Sequence, residues 1–479
     1  MRPEYALLID NCFVAAADGA TIPVISPATE EIVAHIPQAG PADWNAALAA
    51  ASRGLAAWRA VSAWERARIL HKTAASIRDR ADATAATIAL ETGKPLAEGK
   101  GEILAAADQF EWHAEEARRV YGTMLPPRAA DQFQFVSFEP VGAVLALTAW
   151  NFPALLPARK LAAALAAGCS VICRPASEAP GACLALAAAL VEAGVPPGTV
   201  GVLTGDPEPM VPALIAAPEI RKVSFTGSVP VGKRILALCA AGVKKASMEL
   251  GGHAPVIVRE DADPVFAART AAAAKFRNCG QVCISPSRFY VHESIRPAFA
   301  AAFADYAANL RVGDGRDPDS QIGPLIRARA LDHAQALVDD ALALGAKLLA
   351  GGGRAAGRNK GHFFAPTVLD GVDDSARIMR EEPFAPVAPI AGFADEADAI
   401  TKANALPFGL AAYVFGKDSD AARRTAARLD SGMIGINEVL LASAEMPFGG
   451  MKESGFGREG GALGIREYLE PKFVRQKLV

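Results

Sequence analysis

Residues 141–250 alternate between short apolar runs and longer runs rich in alanine and leucine. The short runs have the length and β-branched composition of buried strands, and the longer runs have those of helices. The predicted strands are 143–148, 170–173, 200–203 and 222–225, with helices such as 184–193 and 231–239 between them. This alternation predicts a parallel sheet covered on both faces, the doubly wound kind that binds dinucleotides at its strand ends.

The regions on either side extend this α/β pattern. Residues 41–118 are helical in pattern, and residues 132–138 alternate like an exposed strand. Beyond residue 251, predicted strands at 254–258, 288–291, 411–415 and 433–436 alternate with Ala-rich helices, which indicates a second α/β domain. Residues 468–479 are polar and apolar by turns, a pattern suited to pairing with another edge strand.

Composition and charge narrow the classes of partner. Lys and Arg number 49 against 52 Asp and Glu, a net charge of −3, without a basic block or an acidic tail. This balance argues against nucleic acid or an anionic membrane as the main partner. The apolar stretches are too short to cross a bilayer. The N-terminal residues lack a signal-peptide core, so we expect a cytoplasmic protein.

The seven cysteines are too few for a disulfide framework in a chain of this length, and a cytosolic setting keeps thiols reduced. Two C-x3-C pairs, Cys169 with Cys173 and Cys279 with Cys283, suggest a metal site. However, the seven histidines are scattered and no HExxH motif is present. We therefore expect no metal, and an individual thiol is open to reaction.

Two glycine-rich segments are candidates for a dinucleotide turn. Residues 455–460 match GxGxxG but do not follow a predicted strand, so the match is interpreted as a decoy. In residues 225–232 a strand ends, Gly227 permits a tight turn, and a helix N-terminus offers free N–H groups to a pyrophosphate. Alone, this segment is equally compatible with an ordinary strand-to-helix turn.

Two further residues carry candidate chemistry. Glu249 ends a β run before two glycines, and Cys283 lies on a Gly-flanked turn. Taken singly, the first is typical of a solvated strand end and the second of a small buried hydrophobe. Their order among other motifs changes the interpretation. These motifs are WNFP at 150–153, RPAS at 174–177, FTGS at 225–228, ELGG at 249–252, GQVC at 280–283, EPFAP at 382–386 and PFGG at 447–450.

The ordered set resembles the aldehyde dehydrogenase superfamily over essentially the whole chain. The resemblance implies that Cys283 attacks an aldehyde as a thiolate, with the oxyanion held by the Asn151 amide and the Cys283 backbone N–H. Hydride then passes to a nicotinamide dinucleotide. Glu249 is implied as the base that activates water to hydrolyse the thioester. Lys160 and Glu459 match positions that pass the proton to solvent.

The same resemblance implies the cofactor contacts. Glu382 would hold the nicotinamide ribose, with Phe384 beside the ring. Arg174 replaces the usual Lys, and Ser177 stands where NAD-preferring relatives often have Glu, which leans toward NADP over NAD, although Glu178 would favour NAD. The remaining predicted cofactor-binding residues are Thr148, Trp150, Phe225, Gly227, Ser228, Gly232 and Leu250.

Two departures from the family pattern stand in these motifs. Ala385 replaces a Gly and would crowd the nicotinamide ribose, and His253 follows ELGG where Lys or Asn is common.

Within the superfamily the likeness is closest to succinic semialdehyde dehydrogenases. Arg159, Arg277 and Ser443 occupy the three places that bind the distal carboxylate in those enzymes. We therefore expect an aldehyde substrate such as succinic semialdehyde or a similar semialdehyde acid. The alternative interpretation is that the arginines pair with carboxylates at a domain seam.

The resemblance also implies the domain organisation. Residues 1–118 and 140–250 form the Rossmann-like cofactor domain, 251–452 a second α/β catalytic domain, and 119–139 with 463–479 a small β oligomerisation arm of a homodimer or homotetramer. Three other functions remain open: a broad-specificity NAD-dependent aldehyde dehydrogenase, a CoA-acylating semialdehyde dehydrogenase, and a non-catalytic cofactor-binding protein. The CoA-acylating enzyme would not need Glu249, and a non-catalytic protein would be free to lose Cys283 or Asn151.

Overall fold

The computed structural model describes residues 5–478. The strands are β1 (Leu7–Ile9), β2 (Cys12–Val14), β3 (Thr21–Ile25), β4 (Ile32–Pro37), β5 (Thr123–Met124), β6 (Gln132–Pro140), β7 (Ala143–Leu147), β8 (Val171–Arg174), β9 (Val200–Val202), β10 (Ile220–Gly227), β11 (Lys245–Leu250), β12 (Ala254–Val258), β13 (Pro286–His292), β14 (Lys347–Ala350), β15 (Thr367–Asp370), β16 (Val387–Phe393), β17 (Phe408–Gly409), β18 (Ala411–Phe415), β19 (Met433–Ile436), β20 (Met451–Lys452), β21 (Gly455–Phe456) and β22 (Leu469–Lys477).

The helices fill the connections between these strands. They are α1 (Pro41–Ala60), α2 (Ala63–Asp79), α3 (Ala81–Thr92), α4 (Leu96–Ala117), α5 (Leu155–Ala167), α6 (Gly181–Ala193), α7 (Pro207–Ala216), α8 (Val229–Ala241), α9 (Pro264–Phe276), α10 (Arg296–Ala308), α11 (Ala328–Ala343), α12 (Glu396–Asn404), α13 (Ser419–Ala426) and α14 (Gly461–Gly464). No helix in residues 5–478 is both long and apolar enough to span a membrane.

The first sheet has eight strands in the order β2-β1-β9-β8-β7-β10-β11-β21. Its five central strands, β9 to β11 in this order, are parallel. The chain runs outward from β7 to β8 and β9, and then crosses to β10 on the other side of β7. Such a change of direction opens a crevice at the carboxyl ends of β7 and β10. The four strands predicted between residues 143 and 225 are confirmed.

The second sheet has seven strands in the order β14-β15-β16-β13-β12-β18-β19, all parallel except the edge strand β14. Its core contains a cluster of aromatic rings, with the Phe289 and Phe303 centroids 5.0 Å apart. Two largely parallel sheets flanked by helices confirm the predicted α/β class.

A third sheet is small and antiparallel, in the order β22-β6-β5. The tail strand β22 pairs with β6 from Leu469 opposite Pro140 to Lys477 opposite Gln132. The predicted pairing of the tail with an edge strand is confirmed, and its partner lies in the same chain.

Helix α5 is buried on every side and carries two charged residues into the interior. All its residues are buried, and most are Ala or Leu. The two charged residues in it, Arg159 and Lys160, are 2% and 0% exposed. Buried charges need partners or a polar cavity. Arg159 lines a cavity described below, and Lys160 pairs with Glu459.

Candidate active site

Cys283 lies in the connection between a 3-10 helix, Arg277–Gly280, and strand β13. Asn278, Cys279 and Gly280 have φ angles of +48°, +56° and +73°, in the left-handed region. A Cβ atom at position 280 would collide with the carbonyl oxygen of Ala385. Only glycine therefore fits there, and the sharp turn presents the following residues to the interior of the site.

Two cavities meet at Cys283. The larger has a volume of about 500 Å³ and the smaller about 300 Å³. Cys283, Leu156 and Phe448 line both. The Cys283 thiol can therefore be reached by one bound molecule in the larger cavity and by another in the smaller cavity.

The larger cavity lies at the carboxyl ends of β7, β8, β10 and β11, the crevice of the first sheet. Ser228 begins α8 without a side-chain cap, which leaves N–H groups free for a phosphate. The volume and this free helix start fit a dinucleotide. Twelve residues predicted for cofactor binding or catalysis line the cavity in addition to Cys283: Thr148, Trp150, Asn151, Arg174, Phe225, Gly227, Ser228, Glu249, Leu250, Glu382, Phe384 and Glu459.

Two predicted cofactor residues, Ser177 and Gly232, lie close to this cavity but do not line it. Ser177 Oγ accepts a hydrogen bond from Arg174 at 2.9 Å. Gly232 lets α8 approach the sheet, because a Cβ atom there would lie 2.5 Å from the Leu250 side chain. The structure thus brings both near the cavity without placing them on its surface. The decoy interpretation of residues 455–460 also holds, because β21 pairs antiparallel with β11 instead of leading into a phosphate-binding helix.

Glu249 points into the larger cavity from the end of β11. Its side chain is buried, and neither carboxyl oxygen has a hydrogen-bond partner among residues 5–478. Gly449 leaves room beside it, since a Cβ atom there would lie 2.8 Å from Oε1 of Glu249. Burial and the neighbouring Glu459 carboxylate raise the pKa of Glu249 well above its usual range.

Lys160 and Glu459 form a buried ion pair next to Glu249. The Lys160 ammonium also donates to Ser224 Oγ at 3.2 Å. Glu459 itself borders the cavity. The pair therefore links the cavity that contains Glu249, through Glu459, to Ser224 on strand β10, through Lys160.

Burial raises the pKa of the Cys283 thiol to about 12, and the nearby Arg159 guanidinium opposes this shift. The thiol is consequently neutral at neutral pH in this arrangement, and its ionisation needs a base or a change in charge around it. Glu249 is one of the groups that act on the thiol electrostatically.

The Asn151 side chain lies between the loop after β7 and the loop that carries Cys283. Its Nδ2 donates to the backbone oxygen of Gln281 at 3.1 Å. An amide nitrogen carries two N–H groups, so the second is available to an oxyanion formed at Cys283.

Glu382 and Phe384 reach the larger cavity from the loop before β16. Burial raises the pKa of Glu382 to about 8, although a hydrogen bond from the Gly252 backbone opposes the shift. The Phe384 ring meets Trp150 edge to face, with centroids 5.9 Å apart. The expectation that Ala385 crowds the ribose is wrong, because Ala385 is fully buried in the core of the second sheet and does not line the cavity.

His253 is a core residue. It is buried, with its ring nitrogens 2.8 Å from Ser287 Oγ and 2.9 Å from the Ile378 carbonyl oxygen. Burial keeps its pKa well below the usual range. This substitution therefore changes the support of the ELGG turn and not the cavity surface.

The smaller cavity contains Arg159 and Arg277. The Arg159 guanidinium stacks over the Phe448 ring at 4.0 Å, and Arg277 lies over Phe152 at 5.4 Å. Neither arginine forms an ion pair with a carboxylate in residues 5–478, and Arg159 Nε lacks a hydrogen-bond partner there. Pairing at a domain seam is therefore not what the structure shows, and the cavity fits an anionic ligand group.

Ser443 is not brought together with these arginines. Leu440 and Ala442 line the smaller cavity, whereas Ser443 lines a separate depression with Trp112. Neighbouring residues of an extended segment point in opposite directions, so Ala442 takes the position facing the cavity.

Several residues around the two cavities were not anticipated. Lys94, Glu98 and Glu102 line the smaller cavity, and Arg327 and Arg329 line the larger one. Glu98 and Glu102 are four residues apart and share one face of α4, a spacing that solvated helix surfaces also show. Neither this group nor the two arginines therefore carries a specific sequence signal.

Comparison with known proteins agrees with this geometry. The model described as "Aldehyde dehydrogenase family" matches residues 13–474. The chain therefore belongs to the aldehyde dehydrogenase family, and the predicted class, an NAD(P)-dependent oxidoreductase, is confirmed.

Three relatives illustrate its place in the family. The NADP(+) succinate-semialdehyde dehydrogenase of Escherichia coli is 43% identical over 467 residues, 98% of this chain and 96% of the relative. The 3-sulfolactaldehyde dehydrogenase of Pseudomonas putida is 43% identical over 466 residues, 97% and 96% of the two chains. The crystal structure of succinate-semialdehyde dehydrogenase from Burkholderia pseudomallei has a TM-score of 0.96 at 42% identity, covering 99% of this chain and 98% of that one.

Proposed function

We propose that this enzyme oxidises an aldehyde with an anionic group at its far end, succinic semialdehyde or a similar semialdehyde acid, to the carboxylic acid. The observation that carries the proposal is the smaller cavity, in which two arginines without carboxylate partners face the space beside Cys283. The names of the relatives support it, since succinate semialdehyde ends in a carboxylate and 3-sulfolactaldehyde in a sulfonate. A broad-specificity aldehyde dehydrogenase would gain nothing from two guanidinium groups there, one of them, Arg159, fully buried.

In the first half of the proposed reaction, the Cys283 thiol would release its proton to solvent, with the Arg159 cation favouring the thiolate. The thiolate sulfur bonds to the aldehyde carbon, and the carbonyl oxygen becomes an oxyanion. The free N–H of the Asn151 amide and the Cys283 backbone N–H would stabilise that charge. Bound NAD(P)+ would supply the hydride acceptor, with Glu382 at the nicotinamide ribose and Phe384 and Trp150 beside the ring.

In the second half, water cleaves the thioester and releases Cys283. Glu249 would take the proton from water, because its carboxyl is buried in the same cavity with both oxygens unpartnered. The Lys160–Glu459 ion pair would then receive the proton. A CoA-acylating enzyme would not need this base, and a non-catalytic protein would need neither the thiol nor the base.

NADP is the proposed preferred cofactor. Arg174 presents its guanidinium at the cavity, tied at 2.9 Å to both Ser177 Oγ and the Gly205 carbonyl oxygen. Glu178, the residue that would repel a 2′-phosphate, forms an ion pair with Arg327. Pairing reduces that repulsion and supports the lean toward NADP.

The assignment of domain roles is part of the proposal. Residues 1–118 and 140–250 would bind the cofactor, 251–452 would supply Cys283, and 119–139 with 463–479 would form the arm of a homodimer or homotetramer. Exposed Met124, Phe133 and Phe473 on the small sheet support an interface there. A cytoplasmic setting is consistent with seven cysteines that are all free.

The proposal is tested by two substitutions and a substrate panel. Cys283→Ala should abolish reduction of NAD(P)+ by semialdehydes while cofactor binding persists. Glu249→Gln should reduce cofactor once and then accumulate an acyl-enzyme, seen by mass spectrometry as the added acyl mass. Turnover in Cys283→Ala, or a rate that depends on added CoA, would contradict the proposal.

A further inference from the structure

Three charged side chains at the start of α4 face the active site. Lys94 lies two residues before the first residue of the helix, and Glu98 and Glu102, four residues apart, share one helix face. All three line the smaller cavity, and Lys94 and Glu102 are 2% and 5% exposed. Charges of this kind in a helix are usually solvated, so their burial here needs an account.

Lys94 and Glu102 hold the segment that carries Asn151. The Lys94 ammonium donates to the backbone oxygen of Asn151 at 2.8 Å and forms a buried ion pair with Glu102. Glu102 Oε1 accepts from the backbone N–H groups of Ala154, at 2.8 Å, and Leu155, at 3.1 Å. The pair thereby fixes both Asn151 and the first turn of α5.

Glu98 holds the loop that carries the nucleophile. Its Oε2 accepts from the backbone N–H of Asn278 at 2.9 Å. The Asn278 side chain in turn donates to the backbone oxygens of Asn151, at 3.0 Å, and Gln281, at 3.1 Å. These bonds also retain Asn278 in its left-handed conformation, which a residue other than glycine rarely adopts.

We propose that Lys94, Glu98 and Glu102 form an alignment triad that sets the distance between the Asn151 amide and the Cys283 sulfur. The triad supplies no reacting atom, so its members are positioning residues that act through Asn151. This inference rests on the proposed role of Asn151 as oxyanion donor. The physical reason is that such a donor stabilises developing charge only when it is held at hydrogen-bond distance before the reaction begins.

The test is a double-mutant cycle on the rate of hydride transfer, followed in a single turnover by absorbance of the reduced cofactor. Lys94→Met should slow this step roughly ten- to hundredfold in the otherwise native enzyme, the range expected for losing a charged hydrogen bond. In the Asn151→Ala background it should slow the step less than about threefold, because the interaction it supports is already gone. Equal losses in the two backgrounds would overturn the proposal.

A second variant separates alignment from charge burial. Lys94→Met with Glu102→Gln removes both charges of the buried ion pair, and the Gln oxygen still accepts from the start of α5. We expect an unfolding temperature close to that of the native enzyme and the same slow hydride transfer. Recovery of the native rate in this double variant would mean that only an unpaired charge mattered, and the triad would be rejected.

Lys222→Met serves as the matched control. Lys222 is fully buried like Lys94, but it bonds Ser247 and lies over the Tyr468 ring instead of contacting Asn151. This variant should unfold at a lower temperature with hydride transfer unchanged, and a rate loss as large as that of Lys94→Met would count against the triad. If Asn151→Ala alone keeps the native rate of hydride transfer, Asn151 is not the oxyanion donor and that part of the proposed function fails. This result differs from the one that overturns the triad, in which Lys94→Met slows the step equally with and without Asn151→Ala.

Discussion

At the scale of single residues, Glu249 and Glu459 are two carboxyl groups that share one buried region with one lysine. Burial and the charge of Glu459 raise the pKa of Glu249. A carboxyl with a raised pKa is protonated below that pKa and cannot accept a proton from water. Thioester hydrolysis should therefore rise with pH along a limb well above the usual carboxyl range.

Replacing Glu459 should move that limb. In Glu459→Gln the repulsion that raises the pKa of Glu249 is removed and the Lys160 cation loses its partner, so both changes lower the pKa of Glu249. We expect the acid limb of the deacylation rate to shift to lower pH, as measured by single-turnover hydrolysis across a pH series. Glu467→Gln, which alters a carboxylate near Lys222, is the control and should leave the limb in place. A limb that moves to higher pH in Glu459→Gln would refute the assignment.

The two arginines of the smaller cavity lead to a second prediction. If both face the substrate, replacing either with Leu leaves a desolvated carboxylate short of a charged partner, a loss of about 2–5 kcal/mol. Catalytic efficiency with succinic semialdehyde should then fall about thirtyfold or more relative to butanal, which has no carboxylate to lose. The measurement is the ratio of the two efficiencies in Arg159→Leu, Arg277→Leu and the native enzyme.

The same ratio separates a specialised enzyme from a general one. Arg277→Leu is the cleaner variant, because both arginines act electrostatically on Cys283 but, of the two, Arg159 also acts on Glu249. A ratio unchanged in both folded variants would make the arginines structural and favour the broad-specificity alternative.

The order of sequence motifs predicts some residues of the site but not others, because only some of them lie in distinctive segments. Cys283, Asn151 and Glu249 stand in short segments with unusual glycine or aromatic neighbours, and these converge on one cavity. Lys94 and Glu102 have the spacing of any solvated helix surface, so only the tertiary structure reveals their partners.

At the scale of elements, most strands predicted in the two large sheets are runs of apolar residues buried on both faces. Strands β7 and β12 are wholly buried, and their sequences show it. Strands β3 and β16 were not predicted, because β3 contains Pro23 and β16 contains Pro389 and Gly392, residues that usually interrupt strands. Their pairing depends on neighbours distant in the sequence.

The small antiparallel sheet leads to a prediction at this scale. Its strands expose Met124, Phe133 and Phe473, with Phe473 57% exposed. Phe473→Glu should dissociate the oligomer, because it places a charge in the proposed interface while β22 keeps its backbone pairing with β6. Light scattering would report the mass.

Leu344→Glu, at the end of α11 and 48% exposed, is the control for a new surface charge and should leave the mass unchanged. A native enzyme with the mass of one chain, or a Phe473→Glu variant with the native mass, would contradict the arm assignment.

At the scale of the whole molecule, the larger cavity is built from both halves of the chain. Arg174 and Glu178 come from the first half, and Arg327 and Arg329 come from the second. The Arg327–Glu178 ion pair joins them directly at the cavity. The charge that the first half presents to a cofactor therefore depends on a residue of the second half, which motif order within the first half could not disclose.

This dependence predicts a change in cofactor choice. In Arg327→Ala, Glu178 regains its full negative charge beside Arg174, so the ratio of catalytic efficiencies, NADP over NAD, should fall roughly fivefold, in keeping with the ~1 kcal/mol scale of partly exposed pairs. Raising the salt concentration should diminish the effect, because partly exposed charges are screened.

Adding Glu178→Gln to Arg327→Ala should restore the ratio, since no carboxylate then remains to repel the 2′-phosphate. If the ratio stays low in that double variant, Arg327 contacts the cofactor itself instead of neutralising Glu178, and if it never falls, the ion pair has no part in cofactor choice.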